Sequence, residues 1–413
     1  MSGEALYITN LGLLDNLAKT QILPYLKGLS EKGVKINILS FEKKHNLENK
    51  AALERLHGEL SDLNIKWDRL PYHARWGNLR DLLAGLIKTW RIVKNGNISL
   101  IHARASIPVL MAFPVAKILG RKLIYDRRGT MAGDFVDDVN VKNLFSIRFF
   151  SAALEALDRF IIARSDATVV LSKASREALE SNPRVSGGHA MLENIPCATD
   201  ITRFKAEGPR EKLKIDLSGK FVMCYLGSLG TCYLLKEMVS FFKALKSKKE
   251  NAIFLIISHS DRRYIENVLK NENLQAPFDY IITELNPEEV PEYLTRCDLS
   301  VMFIKPVECK IGCSPTKFGE SLAAGVPVVI NRGIGDMDDI VRKGRVGVIV
   351  EDFNDFHYNE AVDRLEGLLS DRRIFKRCRE IAVKHFSLGD AIVKYDIIYN
   401  RLANGKIPAG RTK

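Results

Sequence analysis

Short apolar runs of strand length, most of them followed by a helical pattern, recur in this chain in two series, and no other feature limits its fold so tightly. The first series is Ala5–Thr9, Val34–Leu39, Ile98–His102, Leu123–Asp126 and Ala167–Leu171. The second is Phe221–Leu226, Ala252–Ile257, Tyr280–Thr283, Leu299–Ile304, Val326–Ile330 and Val346–Val350. Runs without polar alternation belong to strands buried on both faces, and strands alternating with helices imply parallel sheets covered by helices on both sides. Between the series, residues 182–210 crowd together Asn-Pro, Gly-Gly, Ile-Pro and Gly-Pro pairs, the texture of a domain boundary. The pattern predicts an α/β chain of two parallel-sheet domains. A length of 413 residues agrees, being too long for one ordinary core.

One stretch of the second series has a chemical character of its own. Lys310 to Asp339 reads as a loop, a short helix and a buried strand. Ser314-Pro315-Thr316 offers a hydroxyl able to cap a helix and a proline suited to its first position. The outward amides of such a turn favour anions, and Lys317 adds a full positive charge, which predicts a phosphate site. Glu320 would repel phosphates but can accept hydrogen bonds from sugar hydroxyls beyond them. Together these residues point to a nucleotide diphosphate with its ribose. Gly325 ends the helix. In the first series, Leu17 to Gly33 reads as one helix stopped by glycine. Asn10-Leu11-Gly12 before it stands where doubly wound folds place ligand loops.

Apolar residues at 46% and charged residues at 27% are values of a soluble globular protein. No apolar run approaches the roughly 18 residues of a spanning helix. Met1-Ser-Gly-Glu4 carries no basic or apolar signal segment, so the expected location is the cytoplasm. The seven cysteines are odd in number and all follow Asn194, which does not describe a disulfide framework. Cys309 and Cys313 lack a nearby histidine pair and do not read as a zinc site.

The net charge of +12 is spread, with 28 basic and 21 acidic side chains in residues 1–200 and 34 and 29 in the remainder. It favours anionic partners, but no zinc spacing or aromatic-basic RNA motif supports nucleic acid. Residues 69–94 contain Arg69, Arg75, Arg80, Lys88, Arg91 and Lys94 against the single acid Asp81. There Leu79, Leu82, Leu83, Leu86, Ile87, Trp90 and Val93 recur at helical spacing. Such a helix either packs on its sheet or lies on an anionic membrane.

Several segments together resemble the glycosyltransferase family 4 (group 1) enzymes. They are Ser314-Pro-Thr-Lys-Phe-Gly-Glu320-Ser-Leu-Ala-Ala-Gly325, Asn194-Ile-Pro196 to Asp200-Ile-Thr-Arg-Phe204, Ile101-His102-Ala-Arg104, Asp126-Arg-Arg-Gly129 and the closing helix after Phe386-Ser387. The resemblance covers nearly the whole chain. It implies the GT-B architecture, two Rossmann-like doubly wound parallel-sheet domains facing across a cleft. Residues 1–195 would bind the acceptor and 196–385 the nucleotide sugar, with a helix over 386–413 packing back toward the first domain and a loose tail after Asn404.

The activity it implies is retaining transfer of a sugar from a nucleotide sugar to a glycan or polyprenyl-linked acceptor. The setting would be surface polysaccharide, lipopolysaccharide or capsule synthesis at the inner face of the membrane, without a metal cofactor. By the match, Glu320 takes the place of the second glutamate of the family's E-x7-E motif and meets the ribose. Ser314, Thr316 and Lys317 meet the diphosphate, helped by the loop of Gly227, Ser228 and Thr231. His102 would lie near the transferring sugar, with Arg104 and Arg128 facing a phosphate as further catalytic candidates, and Asn10 and Gly12 on the acceptor side.

Two departures stand out. The first glutamate of the motif falls on Gly312, and the family's Arg/Lys pair after the first strand of the donor domain is unmatched, Lys236 being two places out of step. Asp336-Met-Asp338 imitates a metal motif of another glycosyltransferase fold, but here the acids open a helix, where the dipole favours them. Two alternatives remain open: a nucleotide-sugar epimerase of similar two-domain fold, or a non-catalytic nucleotide-sugar-binding protein, for which Gly312 is the best argument.

Overall fold

The computed structural model describes residues 3–73, 78–133, 144–186, 191–204, 213–230 and 232–403, without the side chains of 78, 144–149, 186, 308 and 309. The chain divides into two units, Met1–Pro196 with Gly389–Lys413, and Cys197–Leu388.

The first unit is built on strands β1 (Glu4–Thr9), β2 (Ile36–Glu42), β3 (Lys66–Pro71), β4 (Ile98–Arg104), β5 (Lys122–Asp126), β6 (Ala167–Val170) and β7 (Met191–Asn194). They form one parallel sheet in the order β3-β2-β1-β4-β5-β6-β7. Every residue of β2 is buried, as an apolar run covered on both faces requires. Around the sheet lie α1 (Asn16–Gln21), α2 (Leu23–Glu31), α3 (Lys44–Glu48), α4 (Lys50–Asp62), α5 (Asn78–Asn95), α6 (Ser106–Ile118), α7 (Leu144–Arg164), α8 (Lys173–Glu180) and α9 (Pro183–Ser186). The helix expected through Leu17–Gly33 is two helices. Pro24, near the start of α2, has no N–H to return to the preceding turn, so the chain breaks at Ile22.

The second unit carries β8 (Phe221–Leu226), β9 (Ala252–Ile257), β10 (Tyr280–Thr283), β11 (Leu299–Met302), β12 (Val328–Asn331) and β13 (Gly347–Val350) in the parallel order β10-β9-β8-β11-β12-β13. Its helices are α10 (Leu235–Lys248), α11 (Arg262–Asn271), α12 (Val290–Leu294), α13 (Thr316–Ala323), α14 (Met337–Gly344), α15 (Asp355–Leu369) and α16 (Ile374–Phe386). Helix α13 ends in a Schellman motif: Val326 N–H bonds Ser321 O and Gly325 N–H bonds Leu322 O. Gly325 stands at φ +82°, where a side chain would be strained. A last helix, α17 (Leu388–Ala403), follows, and from Gly389 it belongs to the first unit. The tail after Asn404 lies outside the described residues.

Both sheets reverse their strand order, β1 beside β4 and β8 beside β11. In doubly wound folds ligands gather beyond the carboxyl ends of strands at such a switch.

Candidate functional site

In the second unit the switch brings the loop after β8 against the first turn of α13. Lys317 is only 8% exposed. Its Nζ donates to the Tyr225 hydroxyl at 2.8 Å, and that hydroxyl donates to the Ser228 carbonyl at 2.6 Å. The ammonium also sits 3.5 Å from the ring centroid of Tyr233 and 4.2 Å from that of Tyr225, an aromatic clamp that suits a cation. Burial, partly offset by Cys232 and Glu320, pulls Lys317 down to about 7. The full positive charge expected from the sequence is therefore corrected: near neutral pH the lysine is divided between its two forms. Gly227, at φ +117°, makes the clamp possible, since a Cβ there would lie 2.8 Å from Lys317 Nζ.

One turn on, burial, opposed by Arg203 and Lys317, raises half-buried Glu320 to about 6. Thr316 is the first residue of α13 and half-buried. Ser314 does not cap the helix. Pro315 holds the N-cap position, with no side-chain cap, while the Ser314 hydroxyl accepts from Cys197 N at 3.2 Å. Two of the loop amides offered for phosphate are committed elsewhere, Gly227 N–H to Ile257 O and Leu229 N–H to the Ser260 hydroxyl. Thr231 lies outside the described residues.

In the first unit His102 stands inside its strand. Strand β4 runs on to Arg104, because His102 keeps register with Tyr7 and Ile124, and Arg104 with Thr9 and Asp126. His102 is 2% exposed. Its Nδ1 meets the Tyr399 hydroxyl at 2.7 Å, its Nε2 lies 3.4 Å from Asp126 Oδ2, and Tyr7 and Tyr395 cover the ring. Arg128 donates to Asp126 at 2.6 Å and to the Tyr395 hydroxyl at 3.0 Å. Burial alone would raise Asp126, but Arg128, His102 and Arg104 hold its carboxyl well below the usual range. Burial, opposed by Asp126, lowers His102. Arg104 is also buried, and among the described residues its Nε has no hydrogen-bond partner. Arg128 is half-buried. Gly12 serves a close approach: a Cβ there would lie 2.6 Å from Glu42 Oε2, and Glu42 holds the loop by accepting Leu13 N–H at 2.8 Å. Asn10 is half-buried just past β1.

Along the basic segment, α5 turns only part of its apolar stripe inward. Leu82, Leu86, Trp90 and Val93 pack on the core, whereas Leu79, Leu83 and Ile87 remain exposed. Arg75 lies outside the described residues. At the start of α14, Asp338 accepts Gly333 N–H and Asp339 pairs with Lys343 at 2.6 Å. Among the described residues no group of His, Cys, Asp and Glu is arranged to hold a metal, and no helix is long and apolar enough to cross a membrane.

Sequence reasoning missed the tyrosines on both sites. Tyr225 and Tyr233 read as strand and loop residues far from Lys317. Tyr395 and Tyr399 gave one usable signal, their spacing on one face of α17.

Two family models match the chain: Glycosyltransferase Family 4 over residues 19–202 and Glycosyl transferases group 1 over residues 209–385. No curated protein matches. Among solved structures, sucrose-phosphate synthase from Thermosynechococcus elongatus is similar at 15% identity and a TM-score of 0.70, over 98% of this chain and all of that one (100%). HepE of Anabaena, in complex with UDP and glucose, has 15% identity and a TM-score of 0.66, over 96% of this chain and 99% of its own. A Listeria monocytogenes protein described as a proposed UDP-N-acetylglucosamine 2-epimerase has 10% identity and a TM-score of 0.63, over 98% of each chain. The fold thus houses both transferases and an epimerase candidate, and both family models that match this chain are glycosyltransferase models.

Proposed function

We propose, from the premise that the chain belongs to the group 1 glycosyltransferases of GT-B fold, that it moves a sugar from a nucleotide-diphosphate sugar to a glycan or polyprenyl-linked acceptor, with retention at the anomeric carbon. The observation that carries this reading is Lys317, buried and clamped by Tyr225 and Tyr233 one turn before Glu320. A leaving diphosphate needs positive charge placed where water is excluded, and Glu320 offers an acceptor for ribose hydroxyls. Thr316 and Ser228 border the same place. The proposal needs no bound metal, and donor affinity that survives EDTA checks this.

In the reaction, the acceptor oxygen attacks the anomeric carbon on the face from which the diphosphate departs. The C–O bond to phosphate breaks, and the acceptor's proton passes to the departing phosphate oxygen. Lys317 and the first-turn amides of α13 stabilise the charge that collects there. In the first unit, Arg104 and Arg128 supply positive charge for the acceptor or the transferring group. Buried His102 acts through Asp126, fixing the carboxylate that orients Arg128. Asn10 lies on the acceptor side. Surface polysaccharide, lipopolysaccharide or capsule synthesis on the inner face of the membrane is the proposed setting, with the basic face of α5 toward anionic lipid.

Incubation with a panel of nucleotide sugars tests the reading. Slow donor hydrolysis or transfer supports it, interconversion of the sugar gives the epimerase instead, and tight binding without any turnover gives a non-catalytic binder. That last outcome has a specific reason behind it, Gly312 where the family carries an acid.

A further inference from the structure

The first unit holds a cavity of about 880 Å³ at the amino ends of β1, β2 and β3, at the opposite end of the sheet from Asn10, Gly12, Arg104 and Arg128. Its size is that of small-molecule sites, roughly 300–1,000 Å³. The wall is held in place by hydrogen bonds. Ser30 Oγ donates to Leu63 O at 2.6 Å and ties the end of α2 to the turn after α4. Trp67, 9% exposed, is fixed by its Nε1, which donates to Ser40 Oγ at 2.8 Å, and Ser40 Oγ donates in turn to buried Glu42 at 2.8 Å. His57 is exposed and leans on that indole, with the ring centroids 6.5 Å apart and the planes 33° from parallel. The imidazole, backed by the indole, is the ring an occupant would meet.

The lining selects a class of occupant. Glu4 and Asp68 are balanced there by Lys35 and Lys66. Glu4 accepts from Asn37 Nδ2 at 2.7 Å and pairs with Lys66 at 3.2 Å, and Asp68 pairs with Lys88 at 2.5 Å. A phosphate or a nucleotide would be set against two carboxylates, and an apolar ligand would strip water from four charged groups. A neutral ligand rich in hydroxyls does neither. The side chains of His57, Ser61 and Asn64 also line the cavity, and among the described residues none of the three has a hydrogen-bond partner. Together they offer donors and acceptors, which sugar hydroxyls need because each can both give and accept a proton. The C–H face of a pyranose ring is apolar and packs on an aromatic ring such as the imidazole.

We infer that the cavity at the amino ends of β1, β2 and β3 binds a neutral oligosaccharide, with His57 over Trp67 as its ring platform and Ser61 and Asn64 as its hydrogen-bond partners. The inference rests on the glycan-acceptor reading for its purpose, a second grip that keeps a long acceptor on the enzyme between additions, but its readout does not depend on turnover. The test screens the full chain against an array of short neutral oligosaccharides. The best binder is then titrated while NMR follows the Trp67 indole N–H signal, identified by its loss in Trp67→Phe. The expected result is saturable binding that shifts this signal, with UDP present or absent. The double variant His57→Ala/Asn64→Gly should bind about tenfold more weakly. Both side chains are exposed, and Asn64 stands at φ +56°, where glycine is unstrained, so melting temperature and donor hydrolysis should match the parent. An array without a binder, a binder that leaves the Trp67 signal unmoved, or a double variant that binds as the parent does would overturn the inference. So would inorganic phosphate or a phosphorylated sugar that moves the same signal at lower concentration, which would assign the cavity to an anion.

Discussion

Lys317 is placed where burial and function pull against each other. Folding lowers it from 10.5 to about 7, so between those values the unfolded chain holds a proton the folded chain lacks. Its burial is therefore a full cost to stability below about pH 7, relieved as pH rises toward 10.5. A bound diphosphate favours the charged form and reverses that preference. Affinity for a nucleoside diphosphate should accordingly fall as pH rises above about 7, by up to about tenfold per unit where only the charged form binds. Titration calorimetry with UDP and GDP across that range checks this, and a flat profile would remove Lys317 from the diphosphate. Lys317→Met keeps the bulk and deletes the charge, and should weaken binding roughly tenfold to a hundredfold. The same change relieves a buried cation, so stability near pH 6 should not fall. In the first unit, Asp126→Asn should leave half-buried Arg128 and buried Arg104 without their counter-charge. The expected cost is about 3 kcal/mol in urea unfolding, far more than the same change at exposed Asp339.

At the scale of elements, α5 and α13 show where periodicity stops being informative. Helical spacing identified α5 and its apolar residues, but a stripe that wide cannot all face one sheet, and only packing selects Leu82, Leu86, Trp90 and Val93 for the core. Leu86→Ser should cost about 2 kcal/mol and Leu83→Ser less than about 0.5 kcal/mol. Equal losses in denaturant melts would mean that the exposed half is covered. For α13, the glycine stop was legible from local chemistry, whereas the proline stands one place before its expected position, at the N-cap. The seat of the helix was not legible, because it is set by distant residues: a Cβ on Gly319 would come within 3.0 Å of Thr199 Oγ1 and 3.1 Å of Phe386 Cγ. Gly319→Val should then cost about 1–3 kcal/mol through overpacking.

At the scale of the whole molecule, the two series of apolar runs reappear as the two parallel sheets, since a doubly buried parallel strand leaves little choice of residue. Edge strand β3, with its mixed exposure, and β7 gave no comparable signal. The clamp on Lys317 was not legible either, with Tyr225 lying 92 residues away. Long-range closure is most pronounced in α17, where the end of the sequence finishes the unit begun by its start. Tyr399 bonds His102, Tyr395 bonds Arg128 and packs edge to face on Tyr25, and Ile392 fills the space left by Gly28. Ending the chain after Ser387 would strip those partners from a buried histidine and a half-buried arginine and bare the aromatic surface over β1 and β4. All the residues proposed for the donor side lie within Cys197–Leu388. The truncated protein should therefore lose about 10 °C or more from the melting of its first unit and still bind a nucleoside diphosphate within about twofold of the parent, because no residue proposed to meet the nucleotide has been removed. Calorimetry with and without UDP or GDP separates the outcomes. Loss of nucleotide binding would place part of the donor site outside the second unit, and an unchanged melt would show that the two tyrosines contribute nothing to holding His102 and Arg128.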